Sequence, residues 1–140
     1  MKSIIICCSI SASHEALKIQ SELHTMGFEV EIPHGVKKFQ ANNFIHVTET
    51  ERASDKKDLD LIKSYYEKIK DYDIVLVVNT EKKGIQNYIG ANTFLEMGFA
   101  HVLGKHLAVL NPVPKSGYTD EIDAMDPVVL NSDLELLKKF

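Results

Sequence analysis

The sequence predicts an α/β fold: a three-layer, flavodoxin-like domain with a five-stranded, mainly parallel sheet of order 2-1-3-4-5, spanning residues 1–140 as a single unit. Short runs rich in β-branched residues alternate with segments of helical period, the rhythm of strands joined by helical crossovers. Three of these runs are apolar enough to be buried on both faces of a parallel sheet, and a fourth alternates like an exposed edge. Right-handed crossovers then set the strand order and put a ligand site at the carboxyl ends of the strands.

Residues 3–8, SIIICC, read as the first buried strand. A helix over about 12–26 follows, with Ala16, Leu17, Ile19, Leu23 and Met26 at helical spacing and Gly27 closing it. FEVEI at 28–32 alternates as the edge strand, and Pro33 ends it. The stretch 33–54 has no clear period and carries His34, Phe39, Phe44 and His46, so it is expected to be a long loop, either a lid over the site or a surface excursion. A helix over about 55–70 leads into DIVLVV at 73–78, a central strand. After a second long connection at 79–91 come a helix over 92–103 and the strand HLAVLN at 106–111. A weak helical turn near 119–125, the short strand PVVL at 127–130 and a helix over 131–138 complete the set. The last helix carries a capping box from Ser132 to Glu135.

A chain of 140 residues with 44% hydrophobic content suffices for one domain with a real core. The formal net charge is −4, and its Lys and Arg are spread along the chain, which argues against nucleic acid as a partner. No apolar run approaches the ~20 residues that cross a bilayer, so no membrane partner is expected. Cys7 and Cys8 are adjacent and the only cysteines, and MKSIIICC reads as a strand rather than a signal peptide; a reduced, cytoplasmic protein is expected. His14, His24, His101 and His106 share no metal-like spacing, since His101 and His106 stand five apart and His106 begins a strand. Neither a metal site nor a cofactor is expected.

The chemistry concentrates in the loops after the first, third and fourth strands. SISAS at 9–13 offers the hydroxyls of Ser9, Ser11 and Ser13 beside a helix start, able to hold a sugar hydroxyl or a phosphate, or to cap the helix. Asn79 and Asn92 flank the third loop, which also bears Gly90, and suit either hydrogen bonding to sugar and base or turns and caps. In YIGANTFLEMGFAHVLGK at 88–105, Glu96 falls in the first turns of the helix. Thr93-x-x-Glu96 is a capping-box pattern in which Glu96 bonds the Thr93 N–H. Gly98 inside the same helix costs roughly 1 kcal/mol against alanine and points to close packing.

These pieces together, DIVLVVN, a Gly-bearing loop, Glu96-x-Gly-x-Ala100, Gly104-Lys105 before HLAVL, Asp73 opening the third strand and DAM at 123–125, resemble the nucleoside 2-deoxyribosyltransferases. Related N-glycoside hydrolases acting on deoxynucleoside monophosphates look similar. The resemblance covers most of the chain and implies that Glu96 is a nucleophile attacking the anomeric carbon. A carboxylate there offsets the oxocarbenium-like charge and captures the sugar, as in retaining glycosidases. The resemblance also implies substrate contacts at Ser9, Ser11, Asn79, Gly90, Asn92 and Met125, the last from a segment that a neighbouring subunit contributes in the relatives, or alternatively a core methionine. A nucleoside or nucleotide ligand and a homo-oligomer follow from it.

Two departures bear on this reading. Asp123 stands where the monophosphate hydrolases have a serine, and the first loop lacks their basic residue, which favours a neutral nucleoside. The acid that relatives carry before the third strand falls on Tyr65, with Asp58 and Asp60 as substitutes further upstream. The sequence therefore leaves three functions open: glycosyl transfer, N-glycoside hydrolysis, and nucleotide sensing without catalysis.

Overall fold

The structure, a computed structural model, describes residues 2–58 and 60–140, without the side chains of Arg52, Asp55, Lys56 and Asp58. Five strands, β1 (Ser3–Cys7), β2 (Glu29–Glu31), β3 (Ile74–Val77), β4 (His106–Val109) and β5 (Val128–Val129), lie in the order β2-β1-β3-β4-β5. All four pairings are parallel, with Ile4 to Cys7 in register with Ile74 to Val77, and Ile74 to Val77 with His106 to Val109. The expected α/β class and strand order are therefore what the chain adopts.

Because successive side chains on a strand point to opposite faces, each central strand feeds two cores. Ile4, Ile6, Ile74, Leu76, Ala108 and Leu110 face α1 (Ser13–Thr25) and its buried Ala16, Ile19 and Leu23. Ile5, Cys7, Val75, Val77, Leu107 and Val109 face the other way, onto Tyr65 and Ile69 of α4 (Leu61–Ile69), Met97 and Ala100 of α5 (Ala91–Val102), and Ile122 of α6 (Thr119–Ala124). Helices on both sides of an all-parallel sheet make the three layers. No helix among the described residues is long and apolar enough to cross a membrane.

The expected loop at 33–54 is mostly helical. It forms α2 (His34–Ala41) and the start of α3 (Glu49–Asp58). Only Val36 and Phe39 of α2 are buried, too few to print a helical period, and α3, polar in sequence, has no apolar face to print one. One start signal was present: Thr48 Oγ1 accepts from the Glu51 N–H at 3.1 Å, and Glu51 also pairs with Lys38 at 2.6 Å. Phe39 is 2% exposed without any ligand, edge-on to His14 and beside Phe44 and His46, so it belongs to the fold and does not await a substrate.

The helix expected over 55–70 is broken. Asp60 adopts a left-handed conformation (φ 45°, ψ 57°) and its carboxylate accepts from the Lys63 N–H, which starts α4 anew. The C-terminal helix is a 3-10 segment, Leu134–Lys139, capped by Asp133 rather than Ser132. Ser132 instead donates to the Asn111 side chain at 3.3 Å. Asp73, at the amino end of β3, accepts from the Ser3 N–H at 2.9 Å and so clamps β1 to β3 at the edge opposite the carboxyl ends.

Glu31 on the edge strand ties two helices down. It pairs with Lys37 of α2 at 2.8 Å and with Lys68 of α4 at 3.1 Å, its side chain 18% exposed. Burial pushes its carboxyl up, but hydrogen bonds from Lys37, Lys68 and the Ile32 N–H outweigh that and hold it below its ordinary value. A carboxyl lowered by folding stabilises the native state above its unfolded pKa, and this stabilisation is lost as pH falls through the folded pKa. The melting temperature of the wild type is expected to drop more steeply from about pH 7 to about pH 3 than that of Glu31→Gln, the two curves converging in acid. Parallel curves in a pH series of thermal melts would exclude this role.

Candidate active site

The site grows from the last residue of β1. Cys7 is paired with Val77, the last residue of β3, and its carbonyl accepts from the Val78 N–H at 3.0 Å. In the order 2-1-3-4-5 the crossovers leave β1 and β3 in opposite directions, so a crevice opens between their carboxyl ends. The strand alternation sends the fully buried Cys7 side chain toward α4 and α5, and Cys8 to the α1 face.

Glu96 acts on this strand end: after burial, its charge is the next influence that raises the Cys7 thiol, and it acts on Cys8 as well. The helix carrying Glu96 begins at Ala91 with Gly90 as its N-cap, without a side-chain cap. Thr93 is therefore the third helical residue, 2% exposed, and Glu96 lies in the second turn. The capping-box reading of Thr93 and Glu96 is overturned, because the helix starts earlier than the box requires. Gly98 does not mark close packing either: a Cβ there meets nothing within 4 Å.

Tyr65 of α4 completes the cluster. It is 6% exposed, and its hydroxyl donates to the Ile6 carbonyl. Pairing of β1 with β2 ends at Ile5 and Glu31, so Tyr65 supplies a donor just beyond the edge strand. Burial pushes the Tyr65 hydroxyl well above its usual range, and the charges of Cys7 and Glu96 add to this. Burial likewise raises the Cys7 thiol, with Glu96 next in effect, and takes Cys8 up to about 12. All three groups thus keep their protons at neutral pH.

Glu96, Asn92, Leu95 and Phe99 of α5 line a cleft with Ile62 of α4, of only about 10 Å³. Asn92 is exposed at its rim. Ser9 is the N-cap of a 3-10 turn, Ile10–Ala12, without a side-chain bond, and Ser11 is exposed. Neither Ser11 nor Ser13 caps α1: its N-cap is Ala12, and the buried Ser13 hydroxyl donates to the Ile10 carbonyl at 2.6 Å. Gly90 has Tyr88 against it, since a Cβ would stand 3.1 Å from the ring.

Asn79 is placed differently from the expectation of a sugar or base contact. It is 0% exposed, its amide donating to the carbonyls of Asn111 (3.0 Å) and Pro112 (3.3 Å) and its oxygen accepting from the Asn111 N–H (2.9 Å). Its side chain therefore fastens the loops after β3 and β4 together. Met125 is half-buried on the core that includes Ile122, the core-methionine alternative. Of the two substitute acids, Asp60 is spent on capping α4 and the Asp58 side chain lies outside the described residues. Cys7 was not singled out from sequence: strand alternation gives its face relative to Cys8, but not which helix lies there. Among the described residues no three His, Cys, Asp or Glu side chains gather as a metal site.

No protein-family model and no curated protein matches the chain. Among solved structures it is similar to the CMP N-glycosidase BcmB of Clostridium botulinum, at 17% identity and a TM-score of 0.50, over 99% of this chain and 97% of that one. The two share a fold over almost their whole lengths.

Removing the Tyr65 hydroxyl leaves the Ile6 carbonyl without that donor in a buried setting. Tyr65→Phe is expected to lower unfolding free energy by about 1–3 kcal/mol in urea titration. A change below about 0.5 kcal/mol would mean that the bond contributes nothing net.

Proposed function

We propose that the protein cleaves the N-glycosidic bond of a nucleoside or nucleotide with Glu96 as nucleophile, residues 1–140 acting as one cytoplasmic domain. One observation carries the reading: Glu96 sits in the second turn of α5, the helix entered from the carboxyl end of β3, and lines a cleft between α4 and α5. The shared fold with a CMP N-glycosidase supports it, as does the resemblance of the sequence to the deoxyribosyltransferases.

In the first step a Glu96 oxygen bonds to the anomeric carbon as the C–N bond breaks, its electron pair leaving with the base, which takes up a proton. In the second, water or the nitrogen of another free base attacks the anomeric carbon. The ester bond then breaks, the carboxylate is regenerated, and the attacking group gives up a proton. Water gives hydrolysis and a second base gives transfer. Asn92 at the rim and the hydroxyls of Ser9 and Ser11 after β1 are assigned to the sugar or phosphate, and the Gly90 backbone to close approach of the ligand. Tyr65 does not serve as the leaving-group acid, because its proton is directed at Ile6.

A cleft of about 10 Å³ has room for about one water, so a nucleoside enters only with movement of its walls. Beside Asn92 the rim carries exposed apolar side chains: Ile62 is 45% exposed, Leu95 43% and, further along α5, Val102 84%. We assign this face to self-association, a second copy covering it and completing the pocket. Light scattering at micromolar concentration is expected to give a dimer or larger, and Leu95→Glu to shift it toward monomer. A monomer mass for the wild type overturns the assignment.

The activity is tested with a panel of nucleosides, deoxynucleosides and their monophosphates, with and without a second base, and products separated by chromatography. Glu96→Gln is expected to reduce base release at least about 100-fold, since an amide neither forms the ester nor offsets positive charge. A fluorinated slow substrate is expected to leave a covalent adduct on the peptide containing Glu96, seen by mass spectrometry. Near wild-type turnover by Glu96→Gln removes the nucleophile. Thermal stabilisation by a ligand without turnover turns the reading to sensing, which the tyrosine at the relatives' acid position favours.

A further inference from the structure

We propose that a groove at the amino edge of the sheet is a binding site for a small aromatic monocarboxylate. It lies at the end of β1 opposite the crevice, and the inference is independent of the glycosidase reading.

The groove follows from how one layer is filled. α1 and the C-terminal 3-10 segment both pack on the face of the sheet that Ile4 and Ile6 present. With 13 residues α1 runs about 20 Å, whereas the six residues of the 3-10 segment span only about 12 Å. Where the end of α1 and the end of the 3-10 segment approach the residues that lead into β1 and β2, a groove of about 270 Å³ stays open. It is far larger than the cleft at Glu96, about 10 Å³, and lies just below the ~300–1,000 Å³ of pockets for drug-sized ligands, the size for one or two rings.

Its walls set the chemistry of the occupant. Met26, Phe28 and Phe140, each half-buried on the core, and the fully buried Leu137 form the apolar part. The Phe140 ring is stacked on His106, with centroids 4.9 Å apart and planes 13° from parallel, which fixes one wall. Lys2 and Lys138 supply the charge, and no carboxylate side chain lines the groove among the described residues. Lys138 is 2.8 Å from Glu135, but their side chains are 51% and 65% exposed, a surface pair that contributes little and yields to a competing anion. Asp73, the acid beside the start of β1, already accepts from the Ser3 N–H at 2.9 Å and the Ser3 hydroxyl at 3.2 Å. The carbonyls that end α1 are engaged as well: those of Glu22, His24 and Leu23 accept from the N–H groups of Met26, Gly27 and Phe28, each at 3.0 Å, with Gly27 in the left-handed conformation (φ 98°) that this turn needs. A flat apolar body with a negative group therefore meets both parts of the groove. The negative end of the α1 dipole disfavours a doubly charged anion, which selects a carboxylate over a phosphate.

The probe that tests this is naphthoate, whose fluorescence is read free of protein background because the chain has no Trp. Saturable binding is expected with Kd on the order of 0.1–1 mM. In two-dimensional amide NMR spectra the signals of Gly27, Phe28 and Lys138 should shift while those of Leu95 and Glu96 stay. Naphthalenemethanol, with the rings but no charge, is expected to bind at least about 5-fold more weakly, and the double variant Lys2→Gln, Lys138→Gln to lose naphthoate affinity by a similar factor. Acetate, with the charge but no rings, should leave the three signals in place. Thermal melts establish that the variant is folded, both lysines being exposed. No saturable binding up to about 10 mM overturns the proposal, as do equal affinity for the alcohol, unchanged affinity in the double variant, or shifts confined to α5. Signals at the groove that move on dilution of the protein alone assign it to a second copy of the chain and overturn the ligand site.

Discussion

The structure depends on β1 being buried on both of its faces. A strand flanked by β2 and β3 has its backbone satisfied by the ladder, save the Ile6 carbonyl that Tyr65 serves, so its side chains decide what may cover it. Ile4 and Ile6 demand an apolar layer on one side, and Ile5 and Cys7 demand another on the opposite side. The helices α1, α4 and α5 are amphipathic enough to supply those layers. A three-layer sandwich is the arrangement that meets both demands at once.

The same constraint builds the site. The most rigid place in such a sheet is its centre, yet the strand ends there must open into loops, and the crossovers part between β1 and β3. A side chain at the last position of β1 therefore has the rigidity of the core and the address of the crevice. Cys7 occupies it, and Glu96 comes from a helix whose own burial is secured by Thr93, Met97 and Ala100.

The rim of the crevice is built of softer material. Ile62 and Leu95 are exposed beside Glu96, and the segment 42–48 between α2 and α3 rests on ring contacts of His14, Phe39, Phe44 and His46. Phe44 follows Asn43 in the left-handed region, an uncommon conformation for an aromatic residue, held by its N–H bond to the Phe39 carbonyl at 2.9 Å.

By itself the sequence determined the strands, their order and the layer class, because a fully apolar run on a parallel strand and a 3.6-residue period on a helix are local signals of burial. It also pointed to Glu96, through a motif within one helix. It did not reveal α2 and α3, since two buried residues or none leave no period to read. It suggested a capping role for Glu96 that vanished once the helix was seen to begin at Ala91. Only the tertiary structure decided that Asn79 is spent on Asn111 and that Tyr65 is directed at Ile6. Those are contacts between segments 32 and 59 residues apart in the chain. Local propensity carries no information about which distant backbone or side chain will stand opposite. The register of β1 against β3 and the face on which α4 and α5 settle supply it.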